Sequence, residues 1–371
     1  MAFKFIYEYK AANSFRIAYL NYKLFSLSPK QKMILDLQDI QNAFLGGLLI
    51  SLASSLHLWL KGRVTGMSGI FNGIIKFDNT FVWKLNIFCG LVFASCMAFK
   101  QYDIDLQGKA LFFDNLQTYG TANSVKNVLL AGFLVGLGTK LGNGCTSGHG
   151  VCGLPRLSPR SLVAVPVFMA TGFLMANFIY KFFPPNENME VVYDPRPYID
   201  IFLGISVIVP VISLIVVKKQ LEQITDVLIS FIVGAIFGAG LLLSGMTKRS
   251  KVLGFLTFDN NWDPSLMFVM IGAILGNAIP FNYLIRNQKK PVFGSTMVPK
   301  SAGDIDFKLI LGASLFGLGW GLGGVCPGPA LVNLPIFFPV MIKYFLPSMA
   351  AGQYLGEKLD KTVFAPKEKT Q

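Results

Sequence analysis

Charged residues are scarce in this chain of 371 residues. Asp, Glu, Lys and Arg together make up only 14% of it, whereas 53% of the residues are hydrophobic. Soluble domains carry about 25% charged residues, so this composition excludes an ordinary soluble globule. Together with a mean hydropathy of +0.52, the composition predicts an all-α, polytopic membrane protein.

Acidic residues and cysteines are also few. The 20 Asp and Glu are outnumbered by 33 Lys and Arg, which gives a formal net charge of +13. The basic residues lie between apolar runs, as anchors facing anionic lipid headgroups do. No basic stretch is interleaved with the stacking aromatics that a nucleic-acid groove requires, and five cysteines, mostly in or beside apolar runs, exclude a secreted disulfide framework. We therefore expect membrane lipid, and no nucleic acid, as a partner.

Enzyme motifs are lacking too. The sequence has no nucleophile elbow, no phosphate-binding loop and no paired carboxylates at a meaningful spacing. Cys145, His149 and Cys152 have a spacing that would place three metal ligands along one helical face, with Cys326 as a possible fourth. Intervening glycines disfavour a regular helix, and structural zinc normally has four evident ligands. We expect no catalytic residue, no cofactor and no bound metal.

Apolar runs, in contrast, are abundant, and nine of them are long enough to cross or nearly cross a bilayer. They cover residues 43–60, 81–99, 127–142, 161–180, 201–217, 227–246, 265–283, 309–325 and 331–346. Several end in glycine-rich turns followed by weakly apolar pieces such as 66–75, which indicates broken helices. In hydrocarbon such breaks occur only where the backbone is buried in protein or lines a wet cavity. About nine spans plus re-entrant half-helices are predicted.

An internal repeat is the most informative pattern. Residues 136–145 (GLGTKLGNGC) and 317–326 (GLGWGLGGVC) agree in six of ten columns at an offset of 181, including both cysteines. A second match pairs Thr65-Gly66-Met67 with Ser244-Gly245-Met246 at an offset of 179. Two matches at nearly one offset predict duplicated halves. Paired interrupted helices at corresponding positions of two halves indicate a transporter with a midplane site.

The repeat divides the chain into five segments. We predict an N-terminal interfacial or amphipathic arm at 1–42, a first transmembrane repeat at 43–182, a connecting span with loops at 183–226, a second transmembrane repeat at 227–348 and a polar tail at 349–371. The arm is aromatic and basic up to residue 35, with Glu8 as its only acid. This acid-poor start resembles an organellar targeting segment, so we expect the mitochondrial inner membrane, or otherwise a plasma membrane.

The two cysteine motifs carry the predicted site. Each cysteine follows a glycine-rich stretch and precedes a possible helix restart, with Thr146 or Ser147 as a cap after Cys145 and Pro327 as a first-turn residue after Cys326. A helix start inside the membrane offers unpaired N–H groups and partial positive charge, which together bind anions. We expect two such starts to face each other with a protonated thiol beside each. A sulfur oxyanion suits both the donors and the soft thiols.

The motif strings resemble a known family. GLGTKLGNGCTSGHGVCG at 136–153, RVTGMSG at 63–69 and GLGWGLGGVCPGPALV at 317–332 look like the YeeE/YedE family of sulfur-transport membrane proteins, a resemblance that covers roughly residues 43–346. The resemblance implies an all-helical fold of two inverted, pseudo-symmetric halves with re-entrant helices. It also implies a pore whose cysteines pass thiosulfate along by S–H···S contacts, and by motif position these would be Cys145 and Cys326.

The sequence departs from that pattern in the early motif. Thiosulfate-carrying relatives place a further cysteine there, whereas RVTGMSG has Thr65 and Met67. The thioether of Met67 would accept but not donate a hydrogen bond, and Met246 occupies the matching place in the second half. The substrate therefore stays open on the sequence, as does the possibility that the relay is incomplete and transport has been lost.

Other residues complete the predicted site. We expect close backbone approach at Gly142, Gly144, Gly323 and Gly324, and a hydrogen-bonding or gating role for His149. Lys140 is either a counter-charge for the anion or a side chain that snorkels from a span end. Arg156 and Arg160 form either a basic vestibule or positive-side anchors, His57 is expected at the membrane interface, and Cys89 and Cys96 are expected to pack as small hydrophobes.

These features predict a transporter or channel-like facilitator of a small sulfur-containing anion, most simply thiosulfate, driven by a gradient because ATP-binding motifs are lacking. Two alternatives stay open. One is a transporter-derived structural subunit of a larger membrane complex, with reduced or no transport. The other is a membrane sulfur-transfer enzyme that holds a persulfide on Cys145.

Overall fold

The computed structural model describes residues 37–102, 112–114, 125–179, 194–217, 220–258, 262–287, 290–294, 296–297 and 304–364. Within these ranges all regular structure is helical, as the composition predicted. Most of the predicted arm, residues 1–36, lies outside the described residues. Its last residues, 37–42, form the start of the first helix.

The first half contains six helices. They are α1 Leu37–Lys61, α2 Met67–Lys76, α3 Phe81–Tyr102, α4 Val125–Leu141, the π-helical α5 Thr146–Gly153 and α6 Pro159–Leu174, which continues into a π-helical turn Met175–Ile179. Pro159 opens α6 at a position where the missing N–H costs nothing. The short helices α2 and α5 are the half-helices that the glycine-rich breaks predicted.

A linking helix and six further helices follow. They are α7 Arg196–Val216, α8 Leu221–Leu243, α9 Arg249–Leu256, α10 Ser265–Asn287, α11 Phe307–Gly323, α12 Pro327–Val332 and α13 Leu346–Thr362, which is entered directly from Phe338–Val340 and a π-helical turn Met341–Phe345. Helix α8 begins six residues before the predicted start of the second repeat at 227. Apart from α7, the second half repeats the order of the first: long helix, half-helix, long helix, helix, half-helix, long helix.

The backbone has the same conformation at equivalent positions of the two cysteine motifs. Asn143 and Gly324, 181 residues apart in the sequence, both have left-handed φ values, 56° and 65°. Each ends the helix before its cysteine, and Cys145 and Cys326 are then both extended before the next helix begins. A Cβ at Gly324 would lie 2.7 Å from Cγ of Arg249, so this position requires glycine.

The packing of the two halves is reciprocal. Helix α3 packs extensively on α8 while its counterpart α10 packs on α1, and α4 packs on α13 while its counterpart α11 packs on α6. Glycine permits the close approach: a Cβ on Gly136 of α4 would overlap the carbonyl oxygen of Met349 on α13. The inverted relation of the halves stays a prediction.

The nine apolar runs predicted more membrane spans than the described helices provide. Fewer than nine of these helices are long and apolar enough to cross a membrane. Six of the described helices qualify, or seven if α4 and α5, bent by 46° at their break, count as one span. The run 331–346 is not one span, because α12 ends at Val332 and helix resumes only at Phe338. Pro335 lies in the intervening turns and has no N–H to continue a helix.

The predicted polar tail differs from the structure over most of its length. Residues 349–362 belong to α13, whose Met349, Gly352, Gln353 and Gly356 are buried, and the helix packs along α4. Hydropathy missed this helix because its buried face is made of small and polar residues. Residues 365–371 lie outside the described residues.

Candidate functional site

Three half-helix starts meet in the centre of the protein. The Thr146 hydroxyl, at the start of α5, donates a hydrogen bond to Sγ of Cys326, the residue before α12, over 3.6 Å. Sγ of Cys145 lies 3.2 Å from Oγ of Ser147, which also accepts the Met67 backbone N–H at the start of α2 over 3.0 Å. Both thiols are almost fully buried, at 1% and 3% exposure. The two cysteine motifs therefore lie in one connected cluster, as the repeat predicted.

A small cavity adjoins this cluster. Its volume is about 20 Å³, and its lining includes Cys326, Thr146, Ser147, Met67 and Met246. The rest of the lining is mainly apolar, with contributions from α1, α8 and α10. A cavity of this size holds about one water molecule. We call it the inner cavity; in this conformation it is closed.

A second and larger cavity lies on the other side of the same half-helix starts. This vestibule has a volume of about 430 Å³ and is lined by Gly66, Ser68, Gly144 and Gly148, among others. Consecutive residues thus face different cavities: Ser68 and Gly148 line the vestibule, while Met67 and Ser147 line the inner cavity. The hydrogen bond from Met67 to Ser147 thus joins two residues of the inner cavity whose chain neighbours line the vestibule, and we call this pair the Met67–Ser147 boundary.

The vestibule is basic. Its described lining contains Lys84, Lys140, Arg156 and Arg160 and no Asp or Glu. The two arginines follow α5, where the sequence left a basic vestibule and positive-side anchoring both open. A positive lining with low-dielectric walls raises the local concentration of anions.

His149 fixes the turn that presents Cys145. Its Nε2 lies 3.1 Å from the Gly142 carbonyl oxygen, which can only accept, so Nε2 carries the proton. Its Nδ1 then accepts from the Ser161 hydroxyl over 3.0 Å. Gly144 passes so close that a Cβ there would lie 2.7 Å from the imidazole ring. Gly144 and His149 together hold the break between α4 and α5 in one shape.

Some predicted site residues lie away from both cavities. The Thr65 hydroxyl contacts Nδ1 of His57 over 3.0 Å, and Arg249 Nε donates to the Gly323 carbonyl over 2.9 Å. The predicted site residues that are not among the described lining of either cavity are Thr65, Gly142, Cys145, Gly323 and Gly324. Their positions shape the backbone around the cluster.

Lys140 lies at the end of α4 and faces the vestibule. Its Nζ is 3.8 Å from Oε2 of Glu357 on α13, and Glu357 also pairs with Lys76 and Lys361. The structure therefore gives Lys140 a protein counter-charge and separates it from the thiols of the inner cavity.

Two features near α1 were missed by sequence reasoning. His57 is completely buried and packs 5.4 Å from the Trp83 ring, and its predicted position at the membrane interface stays a prediction. Asp226 of α8 pairs with the fully buried Lys61 over 2.6 Å and with both terminal nitrogens of Arg63. No sequence signal identifies this cluster, because the acid lies more than 160 residues from its partners.

Family models match both halves of the chain. Residues 30–174 match a family described as sulphur transport, and residues 225–365 match a family of unknown function. Each model covers one copy of the repeated helix order.

Curated relatives come from the bacterium Xylella fastidiosa. A protein of strain 9a5c described as a probable transporter is 39% identical over 128 residues, 34% of this chain and 86% of the relative. Another probable transporter, from strain Temecula1, is 36% identical over 135 residues, 36% of this chain and 91% of its own length. These bacterial relatives give the expected mitochondrial location no support. The agreement of motifs, helices and relatives shows that the chain is an integral, multi-pass membrane protein of the sulphur transport family, the YeeE/YedE family.

Proposed function

We propose that the protein carries a small sulfur-containing anion, thiosulfate in the first place, through the vestibule and past Cys145 and Cys326. The observation that carries the proposal is the contact between the start of α5 and Cys326, which joins the two cysteine motifs beside the inner cavity. Membership of the sulphur transport family supports the solute class. The matched descriptions concern transport, so they do not favour a purely structural subunit.

The chemistry of the cluster suits an anion with one soft end. Buried thiols and the thioethers of Met67 and Met246 offer polarizable sulfur. The start of α5 adds backbone N–H donors and the positive end of a helix dipole. The contribution of α12 is smaller than predicted, because Pro327 and Pro329 in its first turn have no N–H to offer. Met67 supplies a sulfur in the early motif, where a cysteine was expected.

Movement through this path requires the boundary to open. The inner cavity of about 20 Å³ has room for about one water molecule and cannot hold a five-atom oxyanion. Parting of the Met67–Ser147 hydrogen bond would join the inner cavity to the vestibule. Parting of this bond leaves a buried N–H without its acceptor, which costs about 1–3 kcal/mol and is compatible with gating on a transport timescale.

The direction of net movement depends on the membrane potential. A dianion that moves into a compartment at −100 mV is opposed by roughly 4 to 5 kcal/mol. A coupled cation, or consumption of the anion after it crosses, must therefore offset this energy.

Uptake of labelled thiosulfate into liposomes tests the proposal. We expect Cys145→Ala and Cys326→Ala to reduce uptake strongly, because each removes a sulfur from the joined cluster. Cys89→Ala is the matched control, since Cys89 is equally buried but lies in α3, outside the hydrogen-bonded cluster that contains Cys145 and Cys326. Uptake that persists unchanged in both test variants would overturn the cysteine path, and an inactive wild-type protein would overturn thiosulfate as the solute.

A further inference from the structure

The vestibule contains polar groups that the protein itself leaves without partners. Nε of Arg156 and Nε1 of Trp83 are both buried, both lack a hydrogen-bond partner, and both residues line this cavity. An unsatisfied buried donor costs about 1–3 kcal/mol, and more when it is charged. Two such donors in one cavity of about 430 Å³ therefore indicate that a ligand with acceptor atoms completes the site.

The charges around these donors favour an anion. Three other basic residues of the lining are at least partly neutralised: Lys84 pairs with Asp78, Lys140 approaches Glu357, and Arg160 approaches Asp306. Arg156 has no acidic partner among the residues that the structure describes. Its guanidinium is thus the basic group of the vestibule without an acidic side chain beside it in the described part of the chain, and a guanidinium fork matches the oxygens of an oxyanion.

The described lining of the vestibule has no sulfur-containing side chain, in contrast to that of the inner cavity. No cysteine or methionine is among the described residues of the vestibule, whereas Cys326, Met67 and Met246 line the inner cavity. The charged groups and N–H or O–H donors of this lining recognise the oxygens and the charge of an anion, and the lining also contains one buried acceptor without a partner, Oε1 of Gln353. The lining has no soft contact with which to distinguish a sulfur terminus from an oxygen.

We infer that the vestibule is a separate oxyanion-binding station, held chiefly by Arg156 and Trp83, which binds sulfate about as well as the transported anion. Selection for sulfur then takes place only beyond the Met67–Ser147 boundary. The inference rests on the proposed function in taking a sulfur oxyanion as the transported solute. It predicts that sulfate occupies the vestibule and competes with uptake.

The test is equilibrium binding of radiolabelled sulfate to the full chain in lipid nanodiscs at low ionic strength, because salt screens an open basic site. We expect saturable binding that Arg156→Gln weakens roughly 10- to 100-fold, the loss typical of one charge-assisted hydrogen-bonding group. Arg196→Gln is the matched control, since it makes the same charge change at an exposed residue outside the vestibule. Equal binding by these two variants, or no sulfate binding by the wild type, would overturn the station.

Two milder variants guard against a folding defect. Arg156→Lys keeps the charge but loses the fork, and Trp83→Phe removes the unpartnered N–H while keeping a smaller aromatic ring. We expect each to weaken sulfate binding, by less than Arg156→Gln does. If both bind sulfate as the wild type does, the donors assigned here are wrong.

Uptake assays separate this inference from the proposed function. Sulfate should raise the apparent KM for thiosulfate without changing kcat, and Cys326→Ala should still bind sulfate. Sulfate binding that depends on Arg156 in a protein without thiosulfate uptake would uphold the station and overturn the proposed solute. Thiosulfate uptake that sulfate leaves unaffected would uphold thiosulfate as the solute and overturn the station.

Discussion

Gly148→Leu should slow transport while leaving the fold intact. Gly148 lies in α5 at the boundary between the two cavities, and a Cβ built on it meets no atom within 4 Å. The space in front of it is the vestibule of about 430 Å³. A side chain at this position would therefore extend into the proposed path, and its Cβ would displace no neighbour.

The size of the effect follows from overpacking. An anion that passes a side chain in its path meets a penalty comparable with an overpacked core, about 1–3 kcal/mol. Since each 1.36 kcal/mol of barrier is a tenfold change in rate, Gly148→Leu should slow thiosulfate uptake roughly 5- to 150-fold. Gly148→Ala should slow it less, because a single methyl group reaches a shorter distance into the cavity.

Gly204→Leu is the matched control for this experiment. A Cβ on Gly204 of α7 also meets nothing within 4 Å, but Gly204 is not among the described lining of the vestibule. The free energies of unfolding of both leucine variants should lie within about 1 kcal/mol of the wild-type value, as measured by thermal scans of the detergent-solubilised protein. If Gly148→Leu takes up thiosulfate as fast as Gly204→Leu, the path does not run through the vestibule.

Two further predictions concern stability. Asp226→Asn leaves Lys61 fully buried and unpaired, so unfolding should become easier by about 3–5 kcal/mol, and addition of Lys61→Met should recover most of the loss; equal melting temperatures for Asp226→Asn and the wild type would contradict the assigned ion pair. Gly136→Ala forces a methyl group onto the Met349 carbonyl and should lower the free energy of unfolding by at least about 1–3 kcal/mol. A melting temperature as high as that of Gly148→Ala would show that α4 and α13 are not in close contact.

The sequence predicted the half-helices and the meeting of the cysteine motifs because duplication leaves a visible trace. Cys145 and Cys326 occupy equivalent columns, and the breaks before them are marked by glycine. Contacts between distant, unlike segments leave no such trace. The pairing of Asp226 with Lys61 depends on how α8 lies against α1, and neither residue stands in a motif.

Hydropathy alone gave the wrong boundaries in two places, for different reasons. The run 331–346 is uniformly apolar, so nothing in its hydropathy separates α12 from the helix that begins at Phe338. Helix α13 contains Gly352, Gln353 and Gly356 on its buried face, which lowers its apolar character although it packs against α4. In both cases tertiary packing, rather than transfer from water, determines where the helix lies.

The two copies differ in charge at equivalent positions. Counting on by the repeat offset of 181 residues, Arg156 corresponds to Phe337, Arg160 to Met341 and Lys140 to Gly321. Phe337 and Met341 are fully buried, whereas the basic residues line an open vestibule. The first copy therefore has basic residues that line the vestibule at positions where the second copy has glycine or packed apolar groups. On the proposed path an anion meets the basic vestibule first and the sulfur atoms of the inner cavity afterwards, so we expect discrimination against sulfate at the inner cavity rather than in the vestibule.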